Sequence, residues 1–471
     1  MLFYEPPFLL FFLTVFAVLL LARGNFARSW VLLIASLLFY LWGEPLFVPV
    51  LLISAGIDYA LSLRMSRQSN RSARRWMLAT GVAANLAMLI VYKYADFVVE
   101  NFNLIAPVFR APQLPLLHIA LPIGISFVVF EKITYLADIF RGRSKPSARF
   151  SDYCLFVLFF PKLLAGPILQ FHDMREQIEK PRPIVSHDVQ AGFVRLAIGM
   201  ARKVLIADPV GSFANEVFAA DPNTLGMSTA WVGLACFTVQ IYFDFAGYSD
   251  MAIGLARIVG FRLNENFDAP YTAQSITDFW RRWHMSLTSW IRDYLYVPLG
   301  GDRCGMLRTS VNLWTCFLLS GLWHGAGWNF ILWGAYNGMF LTLDRLFLRK
   351  ALAQIPLILS NAITLLIVMV GWAIFRSASY QQLISFLSAL GGLAPEKVAF
   401  DVPAEVVFTL TLGMFLSLFP TTGVQTALRA ARRKFEWAGM SSITIAGVLL
   451  FMIAAARAMA VPFQPFIYFR F

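Results

Sequence analysis

The chain has 471 residues, of which 58% are hydrophobic and only 14% are charged. Apolar runs of roughly twenty residues recur from one end to the other, and this is the length that an α-helix needs to cross a bilayer. The composition therefore favours lipid over water as the surrounding solvent. It predicts an all-α polytopic membrane protein.

The net charge is +12, a value that nucleic-acid-binding proteins also reach. Here the basic residues lie in short loops between apolar runs, where the positive-inside rule expects them to face the cytoplasm. They therefore indicate topology, and no nucleic acid partner is expected. The loops predicted to be cytoplasmic contain Arg23 and Arg28; Arg64, Arg67, Arg71, Arg74 and Arg75; Arg141, Arg143, Lys145 and Arg149; Arg345, Arg349 and Lys350; and Arg429, Arg432, Arg433 and Lys434.

In chain order, the regular apolar runs predict crossings that alternate with these loops. The first run has no basic n-region and no small-residue cleavage pattern, so we expect it to be retained as a helix. The alternation puts both termini on the periplasmic side, with about ten or eleven transmembrane helices in all. The predicted crossings are 2–21, 30–42, 46–63, 77–93, 116–140, 357–375, 404–418 and 441–459.

The first irregular stretch is 159–167, where Pro161, Gly166 and Pro167 interrupt an apolar run. Proline removes a backbone donor and clashes with the preceding turn, so a helix must break or kink here. Within a membrane, protein or a water-filled cavity must then satisfy the freed backbone groups. Two interpretations stay open, a kinked ordinary helix and a re-entrant element that lines a cavity.

The second irregular stretch, 242–296, begins with Asp244, Tyr248 and Asp250 beside an apolar helix. Carboxylates at membrane depth are costly and usually face a protein interior or a cavity. Structural pairing, for instance with Arg257 or Arg262, is one interpretation of the two aspartates. Direct participation in chemistry is the other.

The same stretch continues into a segment rich in tryptophan and arginine. On a continuous helix, Trp280, Trp283 and His284 share one face at spacings of three and four. The pattern is typical of an amphipathic helix at the membrane interface, with tryptophan at headgroup level. The arginines also suit an anionic, phosphate-bearing donor such as a coenzyme A thioester. They are Arg281, Arg282 and Arg292.

The third irregular stretch contains a histidine, His324, between Trp323 and a glycine pair. The apolar run before it, 310–322, spans roughly 20 Å as a helix, less than the roughly 30 Å of a hydrocarbon core. With 329–343 returning, the simplest geometry is a hairpin that enters from the cytoplasm and carries His324 at its apex. The imidazole is a satisfied core residue, a proton relay or a general base for acyl transfer.

Seven strings together resemble the membrane-bound O-acyltransferase superfamily, in the bacterial branch typified by the membrane subunit of alginate O-acetylation and by the D-alanyl transfer protein of teichoic acids. They are spread over more than half of the chain. The strings are LPIGISF at 121–127, FFPKLLAGPI at 159–168, QIYFDFAGYSDMAIGLARIVGF at 240–261, ENFDAPY at 265–271, SITDFWRRWHMSLTSWIRDYLYVPLGG at 275–301, GLWHGAGWNFILWGAYNG at 321–338 and GWAIFR at 371–376.

The resemblance implies one membrane domain over 1–471, with a core at about 116–345, peripheral helices at 1–115 and 355–471, and a central tunnel. It implies His324 as the catalytic histidine and His284 as the second histidine. No metal site is expected, because the four cysteines are scattered. Tunnel or entrance residues implied for the donor and substrate are Trp280, Arg281, Arg282, Trp283, Arg292, Asp244, Tyr248, Trp323, Asn329, Pro161, Gly166 and Pro167.

The function implied is O-acetylation of an extracytoplasmic polysaccharide, such as alginate, cellulose or peptidoglycan, from the inner membrane of a bacterium. Acetyl-CoA or another cytoplasmic acyl thioester would be the donor substrate, with no tightly bound cofactor. A periplasmic or membrane-anchored acetyltransferase resembling SGNH hydrolases would be the partner protein. A transporter or flippase of an acylated lipid or sugar is the alternative, because broken helices and intramembrane polar residues suit it equally well.

Two features depart from the resemblance. Glu131 and Lys132 lie side by side after the first string, and we expect them to pair locally. The segments 390–402 and 429–434 resemble nothing diagnostic, and either is a place where the acceptor or partner is selected.

Overall fold

A computed structural model describes residues 3–221, 224–393, 400–419, 438–461 and 464–467. Their regular secondary structure is helical, which confirms the all-α prediction. Six of the helices in these ranges are long and apolar enough to cross a membrane, so the chain is a multi-pass membrane protein. The full helix count, the side of each loop and the periplasmic termini stay predictions, and the basic loop 429–434 lies outside the described residues.

The helices are numbered here in chain order, and the first thirteen lead up to a break at residue 283. They are α1 (Pro6–Leu21), α2 (Asn25–Gly43), α3 (Phe47–Arg67), α4 (Arg71–Leu89), α5 (Ala95–Ile105), α6 (Ile125–Arg141), α7 (Phe150–Leu158), α8 (Phe160–Leu163), α9 (Phe171–Glu179), α10 (Ser186–Ala201), α11 (Asp208–Ala219), α12 (Met227–Ile258) and α13 (Ile276–Arg282).

The remaining helices follow that break. They are α14 (Met285–Ile291), α15 (Gly305–His324), α16 (Trp328–Leu343), α17 (Arg349–Leu352), α18 (Leu357–Arg376), α19 (Tyr380–Leu390), α20 (Ala404–Ser417) and α21 (Ala438–Ala460).

Two predicted crossings have different bounds in the structure. The crossing predicted at 77–93 belongs to a 39-residue helical stretch, Arg71–Phe109, in which π-helical turns join α4 to α5. The crossing predicted at 116–140 is wrong at its start, because residues 111–122 are not helical. Helix α6 begins only after Gly124, whose φ of 79° favours a residue without a side chain.

The chain divides into two compact units. The first comprises residues 1–192 and 252–264, and the second comprises 193–251 and 265–471. In the first unit α3, α4 and α6 pack on one another, and α7 packs against α2 and α9. The predicted core at 116–345 contributes residues to both units. That residues 1–471 form one membrane domain stays a prediction.

A buried polar cluster joins four helices of the first unit. Lys132 of α6 lies with its Nζ 3.3 Å from Oδ2 of Asp58 in α3 and donates to Ser54 Oγ at 2.7 Å. Asn85 Nδ2 donates to Asp58 Oδ1 at 3.0 Å, and the Tyr153 hydroxyl donates to Asp58 Oδ2 at 3.2 Å. A buried charge is tolerated when it is paired and hydrogen-bonded, as Asp58 is.

The expected local pairing of Glu131 with Lys132 is wrong. Successive residues of a helix point in different directions, so their side chains diverge. Glu131 instead forms a buried ion pair with Lys162 and accepts the Leu169 backbone N–H at 3.3 Å. Lys162 lies within the stretch 159–167 and Leu169 follows it, so these contacts of Glu131 fix the stretch to α6.

The predicted break at 159–167 is confirmed. Helix α7 ends at Leu158, and Phe159 has a φ of −47° and a ψ of 104°. Pro161 lies in the first turn of the short α8, where its missing N–H leaves no intrahelical bond unmade. A Cβ at Gly166 would lie 2.5 Å from Lys162 Cα, so only glycine allows this close return. Whether Pro161, Gly166 and Pro167 line a cavity stays a prediction.

Replacing Lys132 with methionine should lower the free energy of unfolding by about 3–5 kcal/mol, because the Asp58 carboxylate would stay buried without its ammonium. Thermal unfolding in detergent measures this loss. The control is Arg345→Met, which removes a half-exposed ion pair with Asp302 and should cost less than about 1 kcal/mol. Equal losses in the two variants would contradict the importance given to the buried pair.

Candidate active site

The predicted hairpin around His324 is present, but the helix before it is longer than we expected. Helix α15 starts at Gly305 and ends on His324, so its 20 residues extend about 30 Å, which is long enough to span a hydrocarbon core. The argument from a short run is therefore wrong. Polar residues between 305 and 310 hide the start of the helix in the sequence. The depth of His324 in a membrane stays a prediction.

Glycines allow the two arms of the hairpin, α15 and α16, to pack closely. A Cβ at Gly321 would lie 2.1 Å from the Phe330 carbonyl oxygen, and one at Gly334 would lie 2.4 Å from that of Phe317. Neither contact is possible for a side chain, so larger residues would separate the arms. The close approach fixes the apex, and with it the position of His324.

The His324 imidazole lies among aromatic rings and is 6% exposed. Ring centroids are 4.9 Å away for Trp323, 5.1 Å for Trp333 and 5.4 Å for Phe375, with interplanar angles of 75–83°. Edge-to-face contacts of this kind restrain a ring in one orientation. Asn329 Nδ2 donates to the Phe375 carbonyl oxygen at 3.3 Å, which ties α16 to the end of α18 beside the histidine.

His284 does not continue helix α13, which contains Trp280. Helix α13 ends at Arg282, Trp283 is extended, and His284 has a φ of 43° and a ψ of 52°. The prediction that Trp280, Trp283 and His284 share one helical face is therefore wrong. A left-handed backbone at a residue other than glycine costs free energy, so the contacts around His284 must hold it there.

Hydrogen bonds determine which nitrogen of His284 carries the proton. Asn266 Oδ1 accepts the Ser286 backbone N–H at 3.2 Å and the Ser286 hydroxyl at 2.9 Å, while its Nδ2 donates to Ser249 Oγ at 3.1 Å. His284 Nδ1 lies 3.2 Å from the same Oδ1. An amide oxygen only accepts, so Nδ1 is the donor and the lone pair lies on Nε2. Sequence reasoning did not single out Asn266, although it lies in the string at 265–271.

His284 lies outside the six candidate spans. Burial lowers the pKa of its imidazole to about 3, because the charged form loses its hydration. The ring is therefore neutral near pH 7. A neutral imidazole is the form that accepts a proton or a hydrogen bond from a substrate.

Both histidines lie near one indole. The Trp323 ring centroid is 6.1 Å from that of His284 and 4.9 Å from that of His324. The second unit thus brings together two imidazoles that are 40 positions apart in the sequence. Their catalytic roles stay a prediction.

The tryptophans predicted at headgroup level are buried in an aromatic layer beside the histidines. Trp280 packs against Trp333 with 5.6 Å between centroids and donates to Asn337 Oδ1 at 3.2 Å. Trp283 packs against Trp372 at 4.9 Å. Both are less than a tenth exposed, so neither ring faces lipid as an interfacial tryptophan does, and their depth in the membrane stays a prediction. Sequence reasoning missed Trp333, Trp372 and Asn337, which meet the site only through the packing of α13, α16 and α18.

The two carboxylates of α12 are structurally paired, as one interpretation predicted, but not with the arginines named. Asp244 Oδ1 lies 2.9 Å from Lys203 Nζ, and Asp250 Oδ1 accepts from Arg195 Nε at 2.8 Å. Arg257 and Arg262 instead pair with Asp188. Tyr248, one turn after Asp244, is also buried.

The three arginines predicted for the donor have different surroundings. Arg282 pairs with Asp278 at 2.9 Å and Arg292 with Asp293 at 2.8 Å. Arg281 is exposed and forms no ion pair among the described residues. It lines a groove of about 260 Å³ together with Arg349. Ser275, Thr277 and Gln274 supply hydrogen-bonding side chains to the same groove.

Comparison with known proteins gives consistent matches over the region that contains this site. The model of MBOAT, the membrane-bound O-acyltransferase family, matches residues 131–381, more than half of the chain. The chain is 43% identical over 386 residues to the probable alginate O-acetylase AlgI of Pseudomonas aeruginosa, covering 81% of this chain and 73% of that protein. It is 38% identical to the probable alginate O-acetylase AlgI of Pseudomonas putida over the full length of both. It is 35% identical over 398 residues to the peptidoglycan O-acetyltransferase of Helicobacter pylori, covering 78% and 74%.

His284 should make the folded protein sensitive to acid. Between about pH 6.5 and pH 4 the unfolded chain binds a proton that the folded His284 does not, so the free energy of unfolding falls as the pH falls. His284→Gln should remove about 2–3 kcal/mol of that loss at pH 4.5. Thermal unfolding in detergent at pH 7 and pH 4.5 measures it. The exposed His118, replaced in the same way, is the control, and parallel curves for wild type and His284→Gln would contradict the assignment.

Proposed function

The chain belongs to the membrane-bound O-acyltransferase family and is a membrane-bound O-acetyltransferase, and from this premise we propose that it transfers an acetyl group from a cytoplasmic thioester towards an extracytoplasmic polysaccharide. The observation that carries the proposal is the placement of His284 and His324 within 6.1 Å and 4.9 Å of the same indole, that of Trp323. Such a pair of imidazoles supplies a proton acceptor beside a second polar contact for the reacting group.

In the proposed reaction, an acceptor hydroxyl attacks the thioester carbonyl. A C–O bond forms, the C–S bond breaks, and the hydroxyl proton passes to His324 and then to the leaving thiolate. Transient acylation of His324 followed by transfer to the hydroxyl is the second possible order of steps. His284, with its lone pair on Nε2, is placed as a neutral acceptor beside the same indole.

We propose acetyl-CoA as the donor, and the groove at Arg281 and Arg349 as the place where its phosphates bind. Both arginines are exposed, and neither forms an ion pair among the described residues. Guanidinium groups with nearby hydroxyl donors are the preferred partners of phosphate in proteins. Arg349 also belongs to a loop that the positive-inside rule expects on the cytoplasmic side.

The acceptor proposed is a hydroxyl of an extracytoplasmic polysaccharide in the inner membrane of a bacterium. The names of the relatives support this class, since they specify alginate and peptidoglycan acetylation. A periplasmic or membrane-anchored acetyltransferase is the proposed partner that completes the transfer. Both termini are proposed to lie in the periplasm.

His324→Ala should lower acetyl transfer at least about 100-fold, because a positioned general base contributes 10²–10⁴ in rate. Purified protein incubated with labelled acetyl-CoA, followed for labelled acetate and labelled protein, gives the rate. Fluorescence-detected size exclusion shows whether the variant folds. His118→Ala, at an exposed histidine, is the matched control and should keep the wild-type rate. A folded His324→Ala protein with that rate would overturn the role of His324, and a wild type that consumes no acetyl-CoA would overturn the donor.

Arg281→Gln and Arg349→Gln should each raise KM for acetyl-CoA about tenfold, as the loss of one charged hydrogen bond implies. The kcat should change little, because the phosphates do not react. Acetyl-pantetheine lacks the nucleotide phosphates, so its KM should be the same in wild type and variants. Arg303→Gln, at an exposed arginine outside the groove, is the control. Equal effects on both donors would contradict phosphate binding in the groove.

A further inference from the structure

A segment late in the chain lies against the His284 side of the site. We call residues 464–467 the latch segment. Phe466 and Ile467 are 1% and 3% exposed. The Ile467 backbone N–H donates to Asp244 Oδ2 at 2.7 Å, across 223 positions of sequence. Gln464 Nε2 lies 3.5 Å from Ser212 Oγ, so the segment is held at more than one point.

Asp244 is suited to hold this segment because both of its oxygens are engaged. Lys203 Nζ lies 2.9 Å from Asp244 Oδ1 and 2.6 Å from Asp208 Oδ1. The ammonium thus fixes the orientation of the Asp244 carboxylate. The second oxygen, buried as well, requires a donor, and the Ile467 N–H supplies it. Docking of the latch segment therefore completes the hydrogen bonding of Asp244.

Phe466 connects the latch segment to His284 through aromatic contacts. Its ring centroid lies 4.9 Å from that of Tyr248 and 5.9 Å from that of Phe245. The Phe245 ring in turn meets the His284 imidazole edge to face, at 4.6 Å and 89°. Phe466 thus packs against Phe245, and Phe245 restrains the plane of the imidazole.

We propose that the latch segment is a positioning element for acetyl transfer, with Asp244 and Phe466 as positioning residues that act through Phe245 on His284. The inference rests on the proposed function. A residue in the left-handed region stays there only when its surroundings over-determine its position. Asn266 holds Nδ1 of His284, whereas Phe245 and the latch segment hold the ring plane.

Phe466→Ala is the first test. We expect kcat for acetyl-CoA to fall at least about tenfold while KM changes less than about twofold, since the donor site is untouched and the imidazole is misaligned. Phe466→Leu, which keeps most of the volume, should recover most of the rate. Phe237→Ala is the matched control, because Phe237 is a fully buried ring that packs on Phe218 and belongs to α12, the helix that also contains Phe245. It should keep kcat per folded molecule.

A second readout does not depend on activity. Diethyl pyrocarbonate modifies neutral imidazoles, and mass spectrometry measures its reaction at His284. Phe466→Ala and Asp244→Ala should each increase that reaction severalfold. Because both changes release the same segment, the double variant should increase it no more than the larger of the two single variants does. Phe237→Ala should leave it at the wild-type level.

The outcomes separate this inference from the function it rests on. If Phe466→Ala and Phe237→Ala lower kcat equally and leave His284 equally protected, the latch segment has only a structural role and the inference is overturned. If the wild type transfers no acetyl group, the proposed function fails instead. Increased reaction at His284 in Phe466→Ala but not in Phe237→Ala, with a lower kcat, supports the inference.

Discussion

Removing an ionised side chain from water costs several kcal/mol unless a counter-charge and hydrogen-bond donors accompany it. The described helices meet this requirement by pairing charges between elements. Lys132 of α6 pairs with Asp58 of α3, and Arg195 of α10 pairs with Asp250 of α12. In lipid there is little hydrophobic drive for one helix to prefer another. The ion pairs therefore decide which faces of these helices meet, and the apolar surfaces then pack around them.

In the second unit, close approach of helix backbones at glycines adds to these ion pairs. A Cβ at Gly199 of α10 would lie 2.5 Å from the carbonyl oxygen of Gly247 in α12, and the reverse distance is 2.7 Å. The same device joins α15 to α16 at Gly321 and Gly334. Small residues let backbones approach, so van der Waals contact becomes strong and the helices cannot slide. The histidine at the end of α15 takes its position from this rigid contact.

The elements that local sequence determines were predicted well, and the contacts that depend on distant residues were not. Run length located α2, α3 and α18, and Pro161 located the break after α7. The partners of Asp244 and Glu131 were missed because spacing along one helix says nothing about a neighbouring helix. Trp280 and Trp283 were predicted to be interfacial for the same reason. Their partners in α16 and α18 follow by more than fifty positions.

The turn at His284 shows why helical spacing can mislead at a functional site. Residues 280–284 have the spacing of a continuous helix, yet the backbone leaves the helix at Trp283. A left-handed residue costs of order 1–3 kcal/mol. The Asn266 side chain offsets that cost, since it accepts the Ser286 N–H that follows the turn and also the Nδ1 proton of His284. One amide therefore fixes the backbone, the tautomer and the direction of Nε2 together. If residues 283–286 continued the helix, these contacts would be lost, and neither the tautomer of the imidazole nor the direction of its Nε2 would be fixed.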